Sequence, residues 1–172
     1  DKQTGLKFAE ESEYLSLNPA IAPLNGELPS EVDLSPDMPP PGDQGQQSSC
    51  VGWATAYALK TYQEQRERHW GVRDDRGHQF SPAWIYNQIA TGGAGCRGGS
   101  SYLDALRLLR TQGAAVLEDF PYSEENCTTQ PSDLVKQHAK EFSIASFNRV
   151  NVQDEQEVKA QLAAGFPVLI GM

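Results

Sequence analysis

Residues 43–54 constrain the fold of this chain more than any other stretch of its sequence. Cys50 follows Gln44 by six residues and stands where a helical pattern of small and apolar residues begins. At a helix N-terminus, unpaired backbone N–H groups and the helix dipole favour a thiolate over a thiol. The side-chain amide of Gln44 is near enough in sequence to donate to an oxyanion beside the sulfur. A buried structural cysteine is the competing interpretation, because burial is the usual fate of an isolated cysteine.

The helix that Cys50 opens is predicted to run to about residue 68. Small and apolar residues recur along it at helical spacing, which is typical of a helix buried between neighbouring elements. The seam consists of Val51, Ala54, Ala58 and Tyr62.

Capping residues predict further helices. Ser81 followed by Pro82 indicates a helix start, and Gly113 ends a helix that Ser101 caps. A short helix is expected near residues 133–140, and another from Asp154 to Gly165. Two strands are also predicted, at residues 142–152 and, as a buried strand, at residues 166–170.

Residues 91–101 form a loop with five glycines in eleven positions. Glycine lets backbone approach a ligand closely, so this loop is a candidate for peptide recognition by main-chain hydrogen bonds. A flexible linker is the alternative, because glycine-rich composition alone also predicts one.

Six segments of the sequence resemble landmarks of the papain-like cysteine peptidase family, and they occur in the same order as in that family. In the nucleophile segment, Gln44 and Gly45 precede Cys50 by the family's interval. The other five resemble the start of the mature enzyme, the Leu-Ser-Pro helix start, the Gly-Cys-Asn-Gly-Gly loop, the Tyr-Pro-Tyr segment and the Gln-Pro-Val strand entry. They are residues 28–34, 80–84, 95–99, 120–122 and 166–168.

The resemblance implies an α+β fold of the papain-like type with two lobes. A mainly helical left lobe would surround a central helix that starts at Cys50, followed by the start of a β-rich right lobe. It implies a cysteine-type peptidase, without a cofactor, that hydrolyses peptide bonds of a protein or peptide substrate through the Cys50 thiolate. Gln44 would contribute to the oxyanion hole, and Gly98 and Gly99 would pair with the substrate backbone.

The cysteines depart from the family pattern. The family signature Cys-Gly-Ser-Cys-Trp is replaced by the run from Gln47 to Val51, which lacks the first cysteine. Cys96 and Cys127 resemble family half-cystines whose usual partners are both missing. The resemblance therefore implies that these two pair with each other and that Cys50 is free. Three reduced thiols are the alternative.

The resemblance also implies a domain organisation. Residues 1–27 would be an N-terminal extension or propeptide remnant, and residues 28–172 a papain-like peptidase domain that is incomplete at its C-terminus. His69, His78 and His138 do not stand in contexts that resemble the family's catalytic histidine. The histidine and asparagine partners are therefore expected beyond Met172, in a C-terminal remainder of the same precursor. A catalytically inactive binding module and another thiol acyl-transfer enzyme remain as alternatives.

Composition excludes several partners. The net charge of −9 argues against nucleic acid and anionic membranes, and no apolar run reaches the about 18 residues that span a bilayer. The sequence contains neither a Cys-x-x-Cys nor a His-x-x-x-His pair, so it does not predict a metal site. The expected disulfide favours a secreted or periplasmic protein.

Overall fold

Helices dominate the computed structural model, which describes residues 5–21, 27–70 and 75–171. The long helix α2 is continuous through three consecutive segments, and two short 3-10 helices lie at Ser35–Asp37 and Lys140–Phe142. The helices are α1 (Glu11–Leu15), α2 (Cys50–Gly52, Trp53–Lys60 and Thr61–Arg68), α3 (Pro82–Ile89), α4 (Tyr102–Gln112), α5 (Asp133–Ala139) and α6 (Glu155–Ala163).

Helix α2 begins at Cys50 and ends at Arg68, as the sequence predicts. Its middle segment is a π-helix, in which hydrogen bonds join residues five apart instead of four. The wider turn moves the buried seam: Val51, Ala56 and Thr61 are buried, whereas Ala54 is only partly buried. The predicted spacing of the seam is therefore wrong in this segment, because it assumed a regular α-helical period.

The predicted caps are confirmed at both ends of α4 and around α6. The Ser101 hydroxyl accepts a hydrogen bond from the Asp104 N–H at 3.1 Å, and Gly113 ends the helix with a φ of 75°. The Asp154 carboxylate caps α6, and Gly165 follows that helix with a φ of 82°. Positive φ at both glycines avoids the strain that a Cβ would bring.

The core lies where α2, α3 and α4 meet. Phe80, Trp84 and Ile85 are fully buried there, and α4 contributes Leu109. Trp84 also donates its indole N–H to the Gly113 carbonyl at 2.8 Å, which satisfies the one polar group of this large side chain. This helical core carries the start of α2, and with it Cys50, on a rigid base.

The two predicted strands are not found. In the part of the chain that the structure describes, strand pairing is limited to isolated bridges, so the start of a β-rich right lobe is not confirmed. The prediction of a buried strand at residues 166–170 is wrong, since the side chains of Phe166 and Ile170 are 57% and 60% exposed. A strand is stabilised by its neighbour, and no ladder of hydrogen bonds reaches this segment among the described residues.

Candidate active site

Cys50 is the first residue of α2, is partly buried, and is free. Residues 43–49, here called the nucleophile loop, lead directly into it. Within that loop the Gln44 amide donates to the Gln47 carbonyl at 2.9 Å. A side-chain amide carries two hydrogens, so one remains for a further acceptor. Gln44 thus lies in the loop that leads into Cys50, and its role as an oxyanion donor stays a prediction.

Tyr122 holds the nucleophile loop at both ends. Its hydroxyl donates to the Gln44 carbonyl at 2.8 Å and lies 2.8 Å from the Ser49 hydroxyl. Because the single phenolic hydrogen goes to the carbonyl, the Ser49 hydroxyl is the donor in the second bond. Burial raises the pKa of Tyr122, so this hydroxyl stays protonated and keeps its role as a donor.

The segment around Glu124 supports the same loop from behind. The Glu124 carboxylate accepts from the Gln46 N–H at 2.5 Å, and the buried Gln47 amide lies within reach of the carbonyls of Ser123, Glu124 and Asn126. The nucleophile loop is therefore fixed at several points, both by its own side chains and by those of Tyr122 and Glu124.

Residues 91–101, here called the glycine loop, are tied to this segment by a disulfide. The predicted bond between Cys96 and Cys127 is confirmed. The Cys96 carbonyl also accepts from the Ser48 N–H at 3.1 Å, which joins the glycine loop to the nucleophile loop two residues before Cys50. The disulfide therefore anchors the glycine loop beside the start of α2.

Successive residues of the glycine loop direct their main-chain groups to different partners. Gly99 exchanges both of its main-chain hydrogen bonds with Thr91, at 2.9 and 3.2 Å. Ser100 faces the other way, as extended backbone requires of adjacent residues, and it bonds to the N-terminal segment. Substrate binding by Gly98 and Gly99 stays a prediction. Ser100 is the residue whose main chain pairs with another segment of the chain.

The segment that pairs with Ser100 belongs to residues 5–21, here called the N-terminal arm. The Lys7 N–H donates to the Ser100 carbonyl at 2.9 Å, and the Ser100 N–H donates to the Gly5 carbonyl at 2.8 Å, in a parallel bridge centred on Leu6. The arm packs so closely that a Cβ on Gly5 would lie 1.8 Å from the Ser48 carbonyl oxygen.

Side chains of the arm reinforce this contact. The Lys7 ammonium donates to the carbonyl and the hydroxyl of Thr91, at 2.8 and 2.6 Å. Leu6 packs against the core, and a Cβ added to Gly171 would lie 2.6 Å from its side chain. An extended segment of this chain therefore lies along the glycine loop and packs on Ser48, two residues before Cys50.

The three histidines lie elsewhere. His78 pairs with Asp75 at 2.5 Å, His138 lies 3.3 Å from Asp119, and His69 ends α2 in an exposed left-handed conformation. No hydrogen bond or ion pair joins any of them to Cys50 in the described ranges. That the base for Cys50 comes from elsewhere in the sequence stays a prediction.

Two further tyrosines line the surroundings of Cys50. Burial, followed by the charges of Tyr122 and Cys50, raises the pKa of Tyr86 to about 12, and burial with Cys50 also raises the pKa of Tyr102. Sequence reasoning missed Tyr86 and Tyr122, although Tyr122 lies in the Tyr-Pro-Tyr-like segment. Ser100 could have been found, because alternation along extended backbone follows from the predicted Gly99.

The described residues also bear on metal binding and on membrane insertion. Among them, His, Cys, Asp and Glu side chains do not gather in groups of three or more that could hold a metal ion. Within the same ranges, no helix has both the length and the apolar character needed to cross a membrane.

Solved structures share this fold. Xylellain, a cysteine protease from Xylella fastidiosa, superposes with a TM-score of 0.75 at 23% identity over 95% of this chain and 65% of its own. Procathepsin B S9 from Trypanosoma congolense gives 0.61 at 18% identity over 94% and 57%. A chain from a structural study of the mite allergens Blo t 1 and Der p 1 gives 0.59 at 14% identity over 90% and 50%.

These likenesses show the fold that the sequence motifs resemble, that of papain-like cysteine proteases. The chain spans about half to two thirds of the length of these structures. No family model matches the sequence, and no curated protein matches it either.

Proposed function

We propose that this chain is part of a cysteine peptidase that hydrolyses peptide bonds through Cys50. The papain-like fold supports this, together with the position of Cys50 at the first residue of α2 and of Gln44 in the loop before it. The observation that carries the proposal is the N-terminal arm: an extended peptide pairs with the Ser100 main chain, and Gly5 packs on Ser48, two residues before Cys50. A main chain that pairs with one extended segment close to a free cysteine is suited to pair with another peptide.

The chemistry assigns a role to each group. The Cys50 sulfur attacks the scissile carbonyl carbon and forms an S–C bond, while the carbonyl oxygen becomes an oxyanion that accepts from the Gln44 amide. Collapse of this intermediate releases the amine, which takes up a proton, and water then hydrolyses the thioester. We propose that a histidine supplies and removes these protons, that an asparagine orients this histidine, and that both residues belong to the sequence after Met172.

The N-terminal arm is proposed to occupy the place where a peptide substrate would pair with the Ser100 main chain. Residues 1–27 would then be an extension or propeptide remnant, and residues 28–172 the peptidase domain. Beyond Lys7 the arm is held by the Tyr14 hydroxyl, which donates to the Val150 carbonyl at 2.6 Å, and by an ion pair between Glu13 and Arg107 at 2.6 Å. Such contacts, spread over the whole arm, favour a segment that stays in place until it is displaced.

Further partners and the compartment follow as proposals. The substrate is a protein or peptide, and the C-terminal remainder of the same precursor is the second partner. The bond between Cys96 and Cys127 favours a secreted or periplasmic location, where disulfides persist.

Alkylation of Cys50 by iodoacetamide, followed from pH 5 to 9 in the protein that includes the sequence after Met172, tests the proposal, with Cys50→Ser as the control. An activated thiolate gives rapid labelling near pH 6, where an ordinary thiol with a pKa of about 8.5 is almost fully protonated. Labelling that rises only above pH 8 would contradict a peptidase and favour the inactive binding module. Cleavage of a peptide that releases a new amine distinguishes the peptidase from an acyl-transfer enzyme, which consumes one.

A further inference from the structure

Tyr86 holds the glycine loop through one buried hydroxyl. This residue lies on α3 and is fully buried, and its hydroxyl lies 2.7 Å from both the Cys96 carbonyl and the Gly98 carbonyl. One phenolic hydrogen is shared between two acceptors that lie two residues apart on the same loop. A fixed helix thereby determines where this stretch of main chain runs.

The glycine loop cannot be held by its own side chains at this point. Gly98 has no side chain, and a Cβ added there would lie 2.2 Å from the Gly92 carbonyl oxygen. Gly99 is equally restricted, because its Cβ would lie 2.8 Å from the Lys7 side chain. The position of residues 98–100 therefore has to be set through main-chain groups.

The Cys96 and Gly98 carbonyls, which both accept from Tyr86, differ in their other contacts. The Cys96 carbonyl also accepts from the Ser48 N–H, and the disulfide holds the same residue. The Gly98 carbonyl accepts from the Tyr86 hydroxyl. Loss of that hydroxyl therefore affects Gly98 more than Cys96, and Gly98 stands two residues before Ser100, whose main chain binds the arm.

We infer that Tyr86 is a positioning residue that places the main chain of residues 98–100 for binding of a peptide backbone, without touching the peptide. This rests on the proposed function, since it assumes that substrate pairs where the arm now does. The raised pKa of Tyr86, about 12, keeps the hydroxyl protonated over the range in which the protein would act.

The test compares Tyr86→Phe with Tyr62→Phe, an identical change at a residue that is 2% exposed and donates to the Gly165 carbonyl at 2.8 Å. Both are made in a Leu6→Asp background, because the arm itself binds Ser100 and would compete. A peptidyl epoxide of three residues reports binding of a peptide backbone through KI and the chemical step through kinact. Iodoacetamide, which has almost no backbone to bind, reports the reactivity of Cys50 alone.

Tyr86→Phe is expected to raise KI about tenfold and to leave kinact and the iodoacetamide rate within about twofold. The control variant Tyr62→Phe is expected to leave all three quantities unchanged. Incorporation of p-aminophenylalanine at position 86 restores a donor and should restore KI; this variant also serves if Tyr86→Phe does not fold. An unchanged KI, or an equal fall in the iodoacetamide rate, would overturn the inference.

Hydrogen exchange of the Gly99 and Ser100 amides tests positioning even if the chain proves not to be a peptidase. Both amides should exchange about tenfold faster in Tyr86→Phe than in Tyr62→Phe. Equal exchange in the two variants would show that Tyr86 does not position the loop. Failure of the epoxide to react with any form of the protein, by contrast, would count against the proposed function.

Discussion

The nucleophile loop and the glycine loop meet at one bond, from the Ser48 N–H to the Cys96 carbonyl, but they are held in different ways. Side chains of the nucleophile loop fix it at several points, since Gln44, Gln47 and Ser49 all form hydrogen bonds. At Gly98 and Gly99 the glycine loop has no side chains and is held through its main chain, by the Tyr86 hydroxyl and by Thr91, while the Cys96 side chain anchors the loop through the disulfide. The nucleophile loop is thus held largely through side chains, whereas the glycine loop at residues 98–99 is held through main-chain groups, which leaves room for a peptide backbone to approach.

The largest expected effect is a fall in kcat when a residue of the nucleophile loop is changed. Gln44→Ala should lower kcat by about 10²–10³, because it removes a donor to the oxyanion. KM should change little, since the glycine loop is untouched. Steady-state kinetics on a peptide substrate measure both. A fall in kcat below about threefold would remove Gln44 from the oxyanion hole.

Loss of the disulfide should act mainly on the glycine loop. The double variant Cys96→Ser, Cys127→Ser opens a loop of 31 residues and should lower the free energy of unfolding by about 3–4 kcal/mol in the chain-entropy model. Urea unfolding measures this loss. Under conditions in which the variant is still folded, the KM for a peptide substrate should rise by a larger factor than the rate of Cys50 labelling by iodoacetamide falls. The reverse result would contradict the division between the loops.

Rising pH should weaken the hold of Tyr86 on the glycine loop. Its pKa of about 12 in the folded protein lies above the ordinary value of 10, so its contribution to stability is complete below pH 10 and is lost between pH 10 and about 12. Two pKa units correspond to about 2–3 kcal/mol. Denaturant unfolding from pH 9 to 11.5 should therefore show a shallower fall for Tyr86→Phe than for the original protein; parallel curves would rule this out.

Tyr122→Phe should give the smallest effect, on the nucleophile loop. It removes the donor to the Gln44 carbonyl and leaves the Ser49 hydroxyl without its acceptor, while several other bonds still hold the loop. We expect kcat to fall about fivefold, with KM unchanged, because one net hydrogen bond is worth about 1 kcal/mol. Tyr57→Phe, which loses a bond to the Pro40 carbonyl, is the matched control. A change in KM with constant kcat would assign Tyr122 to peptide binding instead.

Local signals account for what the sequence could predict. The start of α2 at Cys50, the Ser101 cap and the Gly113 stop all depend on residues within a few positions of each other. The disulfide came from the resemblance, through two cysteines without their usual partners, and the structure confirms it.

The features that could not be predicted depend on distant partners. The hydroxyl of Tyr122 bonds to a carbonyl 78 residues away, and any residue type supplies a carbonyl, so no sequence pattern marks the contact. The pairing of Leu6 with Ser100 is likewise between main-chain groups. The strand predicted at residues 166–170 failed for the same reason, because apolar composition does not provide the neighbour that a strand needs.

Mass spectrometry of the protein after reaction with a peptidyl epoxide tests the central claim most directly. We expect one adduct per chain, on Cys50, that forms faster when Leu6→Asp displaces the arm and that is absent in Cys50→Ser. A reaction rate that Leu6→Asp leaves unchanged, or an adduct on any residue other than Cys50, would contradict the claim that Cys50 is the nucleophile of a groove that binds extended peptides.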